Sequence, residues 1–368
     1  MISSLGALSL IFHGTGTLKT IEPLISGQRD DSDMPRMSKI PAIGLKTAKV
    51  PASIGSTSLP QTWKEAGEIS QMIIYPGKSL KGNSVQVAYV DKHGLRSGEM
   101  CDRQILVVDA NGRFVTGRRY PKMVLISVEV TADLDLELKA EGMKDFHLEL
   151  KDIQKNTANG NSNVEIWGEN CTGLDLGDEA SAWITEFIKD DGDKHFRLVW
   201  HQNTDQSSRP PNSELMDVEP FKKENDVPLY ADGFPYLLVS EESVADLNEK
   251  LSDRNVDLKV NALQFRPNLV VKGVPQAFAE DTWTYIKVND VIFRNAKLCS
   301  RCVFTTVCPE RGEKHPKREP FETLQTYRRS QDPAEIKAYG QCPFFGINLG
   351  VDQVGPIKVG DKILIGAD

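Results

Sequence analysis

Short runs of apolar residues separated by polar turns dominate the chain from about Ile69 onward, and this pattern predicts many short β-strands. Met72–Tyr75 is one such run, and Met123–Val130 is a largely apolar run that predicts a buried strand. Further along, Thr284–Val288 and Val291–Phe293 lie on either side of a two-residue turn and predict a hairpin. Strands should therefore outnumber helices, and the second half should form a barrel-like β-structure.

Helical spacing of apolar residues is clear in only a few places. The acidic pair Asp178-Glu179 suits the first turn of a helix, and an apolar stripe follows as far as Ile188. Ser240 is a good N-cap for a second helix, whose apolar face carries Val244, Leu247 and Leu251. Residues 321–329 are also prone to form a helix. With the strands, these segments predict an α+β fold.

The 368 residues are enough for two domains with substantial cores. No helical or strand period is sustained before about residue 67, so we expect a flexible N-terminal extension. A polar, proline-bearing segment between residues 201 and 227 is the best candidate boundary, although it could equally be a loop over a site. The predicted division is an extension at 1–67, a smaller N-terminal domain at 68–203 and a larger C-terminal domain at 204–368.

Composition excludes some functions. A net charge of −8 argues against nucleic acid as a partner, because phosphate contacts need a concentrated basic surface. Six sparse cysteines are unlike a secreted disulfide framework and indicate a reducing compartment. The apolar N-terminal run Ile2–Phe12 is too short to span a membrane. It is either a weak anchor, through which the chain would associate with a membrane, or a disordered leader.

The stretch from Lys297 to Cys308 concentrates three cysteines, and three interpretations compete. Cys299, Cys302, Cys308 and His315 could hold structural zinc, although a second close pair of ligands is missing. Cys299 and Cys302 could form a thioredoxin-like redox pair, but the β-branched run after Cys302 predicts a strand, not a helix. The third interpretation is that these are buried cysteines that act as small hydrophobic residues.

Two cationic positions raise similar alternatives. Arg301 precedes Cys302, so its guanidinium could favour the Cys302 thiolate, or it could point the opposite way and hold an anion. Lys78 and Ser79 lie in a short loop after a predicted strand. That loop could offer hydrogen-bond donors to an anion, yet it matches no P-loop pattern and is equally typical of a solvated hairpin.

Five motifs, in a fixed order along the chain, favour a different interpretation of these residues. They are Tyr75-Pro76-Gly77-Lys78-Ser79-Leu80-Lys81-Gly82, Gly94-Leu95-Arg96-Ser97-Gly98 through Asp102-Arg103, Phe265-Arg266-Pro267-Asn268, Cys299-Ser300-Arg301-Cys302 with Thr305-Thr306, and Pro343-Phe344-Phe345-Gly346. Through them, the stretch from about Ile69 to Ala367 resembles the mitochondrial amidoxime reducing component family. The second half resembles a MOSC domain, the molybdenum-cofactor-binding module. The resemblance implies a β-barrel MOSC domain and a smaller, mixed α/β, barrel-like MOSC N-terminal domain.

The resemblance also implies a molybdenum cofactor, in which a pterin dithiolene (Mo-molybdopterin) carries the metal. Cys302 would be both the metal ligand and the catalytic residue, and a soft thiolate suits such a metal. The cofactor-binding residues implied by the resemblance are Lys78, Ser79, Arg103, Arg266, Asn268, Ser300, Arg301 and Cys302. Arginine and lysine suit phosphate and an anionic metal centre, whereas asparagine and serine suit the edges of a pterin.

The activity implied by the resemblance is reduction of small N-hydroxylated compounds such as amidoximes and hydroxylamines. Electrons would come from NADH through a flavin reductase and a b-type cytochrome, since the chain has no dinucleotide-binding fingerprint of its own. The implied location is mitochondrial, at the outer membrane, with a cytoplasmic alternative because the N-terminal anchor is weak. A non-enzymatic cofactor carrier is the alternative function. A complete cofactor sulfurase with its pyridoxal-phosphate domain does not fit the chain.

Two positions depart from the family pattern. Gly233-Phe234 follows Asp232 where hydroxyl-bearing residues are expected, so that contact with the cofactor must come from the backbone or elsewhere. Cys308 stands where an aspartate commonly follows the Thr-Thr-Val run. A thiol replaces a carboxylate there, so any role assigned to that position does not transfer.

Overall fold

The computed structural model describes residues 59–133, 135–151, 161–190, 194–202, 223 and 226–367. The sequence predictions for the extension as far as residue 58, and for most of the polar segment between 201 and 227, fall outside these ranges. The strands are β1 (Trp63–Ile74), β2 (Asn83–Val85), β3 (Val87–Asp91), β4 (Gly94–Ser97), β5 (Met100–Cys101), β6 (Ile105–Asp109), β7 (Ser127–Val130), β8 (Asp135–Lys139), β9 (Phe146–Glu149), β10 (Asn161–Ile166), β11 (Glu169–Asp175), β12 (Phe196–Trp200), β13 (Tyr236–Ser240), β14 (Leu269–Lys272), β15 (Tyr285–Val288), β16 (Val291–Ser300), β17 (Phe344–Gln353), β18 (Gly355–Lys358) and β19 (Lys362–Gly366). The α-helices are α1 (Asp178–Ile188), α2 (Glu241–Asp253), α3 (Phe321–Tyr327) and α4 (Pro333–Tyr339).

Seven of the described strands close into a barrel, in the order β14-β13-β17-β16-β15-β19-β1, and β1 pairs with β14 to complete it. β13 and β14 are parallel, and the other neighbours are antiparallel. β1 begins at Trp63, earlier than the predicted start near Ile69, because Trp63 pairs with Gly366 of β19. Closure leaves these strands without an open edge, and the predicted β-barrel is confirmed.

The N-terminal part of the described chain forms smaller sheets. β6 joins β10, β11 and β12, while β7, β8 and β9 form a meander. Helix α1 buries Trp183 and Ile184 against this part, in a core shared with Leu198 of β12. β18 leaves the C-terminal part of the chain to pair with β3, in a sheet that also holds β4 and β5. The predicted α+β class is confirmed.

All three helix predictions are confirmed, although α3 ends two residues earlier than predicted. Ser240 caps α2, and its Oγ accepts a hydrogen bond from the Ser243 backbone N–H at 3.1 Å. The acidic pair at the start of α1 lies in its first turn, as expected. The sequence analysis missed α4, although Asp332 caps it by accepting from the Ala334 backbone N–H at 2.8 Å.

The prediction of one strand over Met123–Val130 is wrong for its first part. Pro121–Leu125 forms a 3₁₀ turn with proline at its start, and only Ser127–Val130 is extended. Met123 and Val124 are nevertheless buried. The apolar residues of this run therefore predicted burial correctly, but they could not distinguish a buried turn from a buried strand.

An aromatic pair packs at the end of the barrel where the predicted motifs meet. Phe265 precedes β14 and Phe345 lies in β17, and their rings stack with centroids 3.9 Å apart. Both side chains are fully buried. Phe278 meets the Phe345 ring edge-on at 5.9 Å. Arg266 and Asn268 follow Phe265 in the chain, so this packing holds the segment that carries two residues of the candidate site.

Phe345→Ala is therefore expected to lower the free energy of unfolding by about 3–5 kcal/mol, because it leaves a cavity beneath Phe265. Chemical denaturation followed by far-UV circular dichroism measures the change. Val87→Ala is the control, because Val87 is 60% exposed and its truncation should cost less than about 0.5 kcal/mol. Equal costs for the two variants would contradict this view of the packing.

Candidate functional site

Lys78 lies in the loop that follows β1, where its side chain is almost fully buried. Its ammonium donates to the Asp232 carboxylate at 2.6 Å and to the Tyr230 carbonyl at 2.9 Å. Its backbone N–H donates to the Ile105 carbonyl at 2.8 Å, which ties the loop to β6. The predicted anion-binding lysine is thus held in place by a carboxylate, and its loop is packed, not a solvated hairpin.

Three of the predicted site residues have left-handed backbone conformations. Ser79, Arg103 and Arg266 have φ angles of 67°, 50° and 56°. Such angles are uncommon for residues with a Cβ atom and cost about 1–3 kcal/mol each when the surroundings impose them. Strained residues are frequent at functional sites, and these three account for three of the nine such non-glycine residues in the described part of the chain.

The Asp102 carboxylate is a buried hub beneath these residues. One of its oxygens accepts from the Tyr75 backbone N–H at 2.9 Å and from the Asn268 side-chain amide at 2.8 Å. The other accepts from the Arg103 guanidinium at 2.5 Å. Burial raises the pKa of Asp102, and the Arg103 charge and the two N–H donors act in the opposite direction. Asn268 and Arg103 are themselves joined by a 3.2 Å hydrogen bond.

Two guanidinium groups lie over the Tyr75 ring. The central carbon of Arg103 is 4.4 Å from the ring centroid, and that of Arg266 is 4.1 Å from it. Arg266 also lies 5.6 Å from the Phe304 ring. Burial lowers the pKa of Arg266 to about 10 and raises the pKa of the Tyr75 hydroxyl to about 12. The region therefore concentrates positive charge in a chain of net negative charge.

The structure shows where the Arg301 side chain points. Its guanidinium donates to Cys299 Sγ at 3.0 Å and to the Phe265 carbonyl at 2.7 Å, so it points toward Cys299 and the residues before β14. Its backbone N–H donates to the Pro343 carbonyl at 2.7 Å, which continues the pairing of β16 with β17. Ser300 and Cys302 flank Arg301 on the same segment.

The chain turns directly after Cys302. Val303–Thr306 forms a 3₁₀ turn, so the strand predicted from these β-branched residues is wrong. The Cys302 carbonyl accepts from the Thr305 backbone N–H and from its hydroxyl, at 3.1 and 3.0 Å. These local bonds outweigh the strand preference of the run. Cys302 is half-buried and its thiol is not in a disulfide.

The zinc and thioredoxin-like interpretations lose support. Cys299 lies within β16, not at a helix N-terminus. The Cys308 thiol is 3.3 Å from Glu310, and the His315 ring accepts from backbone N–H groups at 3.3 Å. Among the described residues, the only metal-sized group of potential ligands is Glu137, Asp145 and His147. The Lys139 ammonium already lies 2.8 Å from the Glu137 carboxylate, which places a competing cation in that exposed group.

Three buried polar atoms in this region lack hydrogen-bond partners within the described ranges: the Tyr75 hydroxyl, Arg266 Nη2 and Arg301 Nε. A buried donor left without an acceptor costs about 1–3 kcal/mol. All three can donate, and two of them carry positive charge. The arrangement is therefore complementary to a ligand that is anionic and rich in acceptors.

A chain of contacts links three of the predicted residues, Lys78, Arg103 and Arg266. Lys78 reaches Tyr230, whose backbone N–H donates to the Arg103 carbonyl at 3.0 Å. Arg103 in turn donates to the Arg266 carbonyl at 3.1 Å. Ser79 lies in the same loop as Lys78, and Gly117 packs close to both Ser79 and the Phe304 ring.

Three contributors were not assigned by sequence. Tyr75 and Asp102 were quoted only as parts of motifs, and Phe304 only as part of a β-branched run. The adjacency of Asp102 to Arg103 was the one available signal, since a buried arginine usually has an acidic partner. Asp232 pairs with Lys78 and accepts from the Trp167 indole at 2.9 Å. The residues next to Asp232 in the sequence gave no sign of these two partners.

Comparison with known proteins identifies the chain. The MOSC N-terminal beta barrel domain matches residues 66–191, and the MOSC domain matches residues 225–364. Mitochondrial amidoxime reducing component 2 of Bos taurus is 38% identical over 300 residues, which cover 82% of this chain and 83% of the relative. The chain belongs to the mitochondrial amidoxime reducing component family. Mitochondrial amidoxime-reducing component 1 of Homo sapiens is 36% identical over 334 residues, which cover 89% of this chain and 92% of the relative.

This amidoxime reducing component family member also resembles a solved structure, the YUAD protein of Bacillus subtilis. The match covers 83% of this chain and all of the other, with 10% sequence identity and a TM-score of 0.36. Within the residues that the structure describes, no helix is both long and apolar enough to cross a membrane.

Asn268→Ala tests the Asp102 hub of this family member. The change removes the amide that bonds Asp102, the Ile73 carbonyl and Arg103. Unfolding free energy should fall by about 1–3 kcal/mol, because buried partners lose their hydrogen bonds. Urea denaturation measures the loss. Asn170→Ala, at an exposed position in β11, is the control and should change stability by less than about 0.5 kcal/mol. An unchanged midpoint of urea denaturation for Asn268→Ala would contradict a stabilising role for the hydrogen bonds around Asp102.

Proposed function

We propose that this protein is a molybdenum-cofactor-dependent oxidoreductase that reduces N-hydroxylated compounds such as amidoximes and hydroxylamines. Its bovine and human relatives are named for amidoxime reduction, and its C-terminal half matches the MOSC domain. The observation that carries the proposal is the set of three buried polar atoms on Tyr75, Arg266 and Arg301 that lack partners among the described residues. An anionic pterin with a phosphate offers the acceptors that they need.

Each cationic residue would contribute to binding the anionic cofactor in a different way. Lys78 offers a buried ammonium, and Asp232 fixes its position. Arg103 is fixed by Asp102 and by the Arg266 carbonyl, so it can present charge without losing much side-chain entropy on binding. Ser79, Asn268 and Ser300 contribute polar groups close to these cations. We assign all of them to cofactor binding, together with Arg266 and Arg301.

Cys302 is assigned as the metal ligand. It is a half-buried, unbridged thiol at the end of β16, where the 3₁₀ turn fixes its backbone. Soft thiolate is the appropriate ligand for such a metal. Arg301 next to it is anchored through Cys299 and the Phe265 carbonyl, which keeps a fixed positive charge in the same segment. This charge would help to balance an anionic centre.

The bound cofactor would supply the two-electron chemistry of the reduction. The protein contributes ligation, orientation and a positive local field, while the Tyr75 ring supports two of the cations. Electrons would come from NADH through a flavin reductase and a b-type cytochrome. The relatives are named mitochondrial, and we propose the same location for this chain, with the cytoplasm as the alternative.

Cys302→Ala is expected to abolish stable retention of molybdenum and to reduce turnover by more than about 100-fold, because loss of a ligand exceeds the effect of losing a supporting residue. Turnover is measured with an amidoxime, NADH, the b-type cytochrome and its reductase. Elemental analysis should give about one molybdenum per chain in the unchanged protein. Cys308→Ala is the control, because its thiol contacts Glu310 and lies outside the assigned set.

Two outcomes of that experiment would contradict the proposal. Stoichiometric zinc in place of molybdenum would show that the cysteines serve a structural site. Intact molybdenum cofactor without turnover of any N-hydroxylated compound would favour a cofactor carrier over an enzyme. Reduction that persists in Cys302→Ala would remove that residue from the site.

Arg266→Met separates a role in binding from a role in folding. Retention of the cofactor should weaken by about 10–100-fold, because a charged donor is lost. The cofactor-free protein should be no less stable, because an incompletely paired guanidinium is removed from a buried position. Molybdenum content after dialysis and thermal unfolding measure the two effects. Arg311→Met, at an exposed pair with Glu313, should alter neither by much. Loss of stability with full retention would overturn the assignment of Arg266.

A further inference from the structure

Cys302 and Cys342 lie just beyond the ends of two paired strands, β16 and β17. Ser300 of β16 pairs with Phe344 of β17, and the Arg301 backbone N–H donates to the Pro343 carbonyl at 2.7 Å. Cys302 and Cys342 each lie two residues beyond the first pair, so they continue the same antiparallel register. Cys302 is itself extended, with φ −113° and ψ 177°. Continued in that register, the two cysteines would face each other on one side of the paired segments.

The backbone hydrogen bonds define the type of this pair. Arg301 bonds across to Pro343, so the next residues out form a non-hydrogen-bonded pair, in which the Cα atoms of facing residues are closest, about 4.5 Å apart. In agreement, the Cys342 N–H donates to the Tyr339 carbonyl of its own segment, and the Cys302 carbonyl accepts from Thr305. A disulfide needs Cα atoms about 4.4–6.8 Å apart, so this geometry permits one.

The electrostatics and exposure of the two thiols agree with their proximity. Burial raises the pKa of Cys342, and together with the negative charge of a nearby Cys302 thiolate it brings that pKa to about 11. Neither side chain is fully buried, so a small oxidant can reach the pair. Cys299 is a poor alternative partner. It lies three residues from Cys302 along an extended segment, roughly 10 Å away, and its sulfur accepts a hydrogen bond from Arg301.

We propose that Cys302 and Cys342 form a reversible disulfide when the cofactor-free protein meets a peroxide. The Cys302 thiolate attacks a peroxide oxygen and breaks the O–O bond, which gives a sulfenic acid and hydroxide. The Cys342 sulfur, after losing its proton, attacks the sulfenic sulfur and expels a second hydroxide. Two thiols and one hydrogen peroxide give one disulfide and two waters: sulfur loses two electrons and peroxide gains them. A dithiol reductant reverses the change.

The disulfide would control the availability of the residue assigned above as the metal ligand, so this role rests on the proposed function. Oxidation removes the Cys302 thiolate and blocks cofactor loading. Cofactor already bound would engage that sulfur and protect it, because the thiolate is the reactive form in both reactions. The pair would thus preserve the empty site from irreversible oxidation to sulfinic or sulfonic acid.

The experiment treats the full chain, prepared with and without cofactor, with one equivalent of hydrogen peroxide. Remaining thiols are alkylated, and peptides are mapped by mass spectrometry without reduction. In the cofactor-free chain we expect a Cys302–Cys342 cross-linked peptide, lighter than the two thiol peptides by two hydrogens and absent after treatment with dithiothreitol. In the loaded chain its formation should slow on the order of tenfold or more.

Cys342→Ser should abolish the cross-link and leave a Cys302 sulfenic acid that dimedone traps, whereas Cys308→Ser should leave the cross-link unchanged. Cys342→Ala provides a second variant if the serine change disturbs folding. A Cys299–Cys302 cross-link, or a trapped sulfenic acid without any cross-link in the unchanged protein, would overturn the proposal. The cofactor-free readout does not depend on molybdenum. Its failure is therefore distinguishable from failure of the proposed function, which molybdenum content and turnover test.

Discussion

The buried carboxylate of Asp102 is the interaction on which the rest of the site depends. It receives the backbone N–H at the end of β1, the amide of Asn268 before β14 and the Arg103 guanidinium. β1 and β14 are the strands whose pairing closes the barrel. One carboxylate therefore connects barrel closure to the position of a cation at the barrel's end. Ionised carboxylates are costly to bury, and this one is stabilised by the donors around it.

The three arginine side chains near Asp102 outnumber the carboxylates that could neutralise them. Asp102 serves Arg103, while Arg266 and Arg301 rely on backbone carbonyls, sulfur and aromatic rings. A site built only for stability would neutralise such groups or replace them with apolar residues. The left-handed backbone at Arg103 and Arg266 adds strain to the same region. Both costs are understandable if the site is shaped for an anionic ligand.

The sequence indicated those parts of the fold that depend on neighbouring residues. Ser240 identified a helix start because a cap acts within one turn, and the hairpin around residues 289–290 was readable for the same reason. The run after Cys302 was misread, because threonine hydroxyls bond back to the chain and form a turn there. Pairing of β1 with β14 joins residues about two hundred positions apart. No local pattern reports such a pairing, or the direction in which Arg301 points.

The pairing of β16 with β17 affects Cys302 in two ways. A backbone bond between Arg301 and Pro343 holds the end of β16 against β17, while Arg301's own guanidinium is anchored on Cys299 and the Phe265 carbonyl. This anchoring gives the thiol a fixed position, as a metal ligand requires. The same pairing places position 342 opposite it. With cysteine at that position, the geometry that makes Cys302 a well-placed ligand also gives it a thiol neighbour, so ligation and oxidation compete for one sulfur.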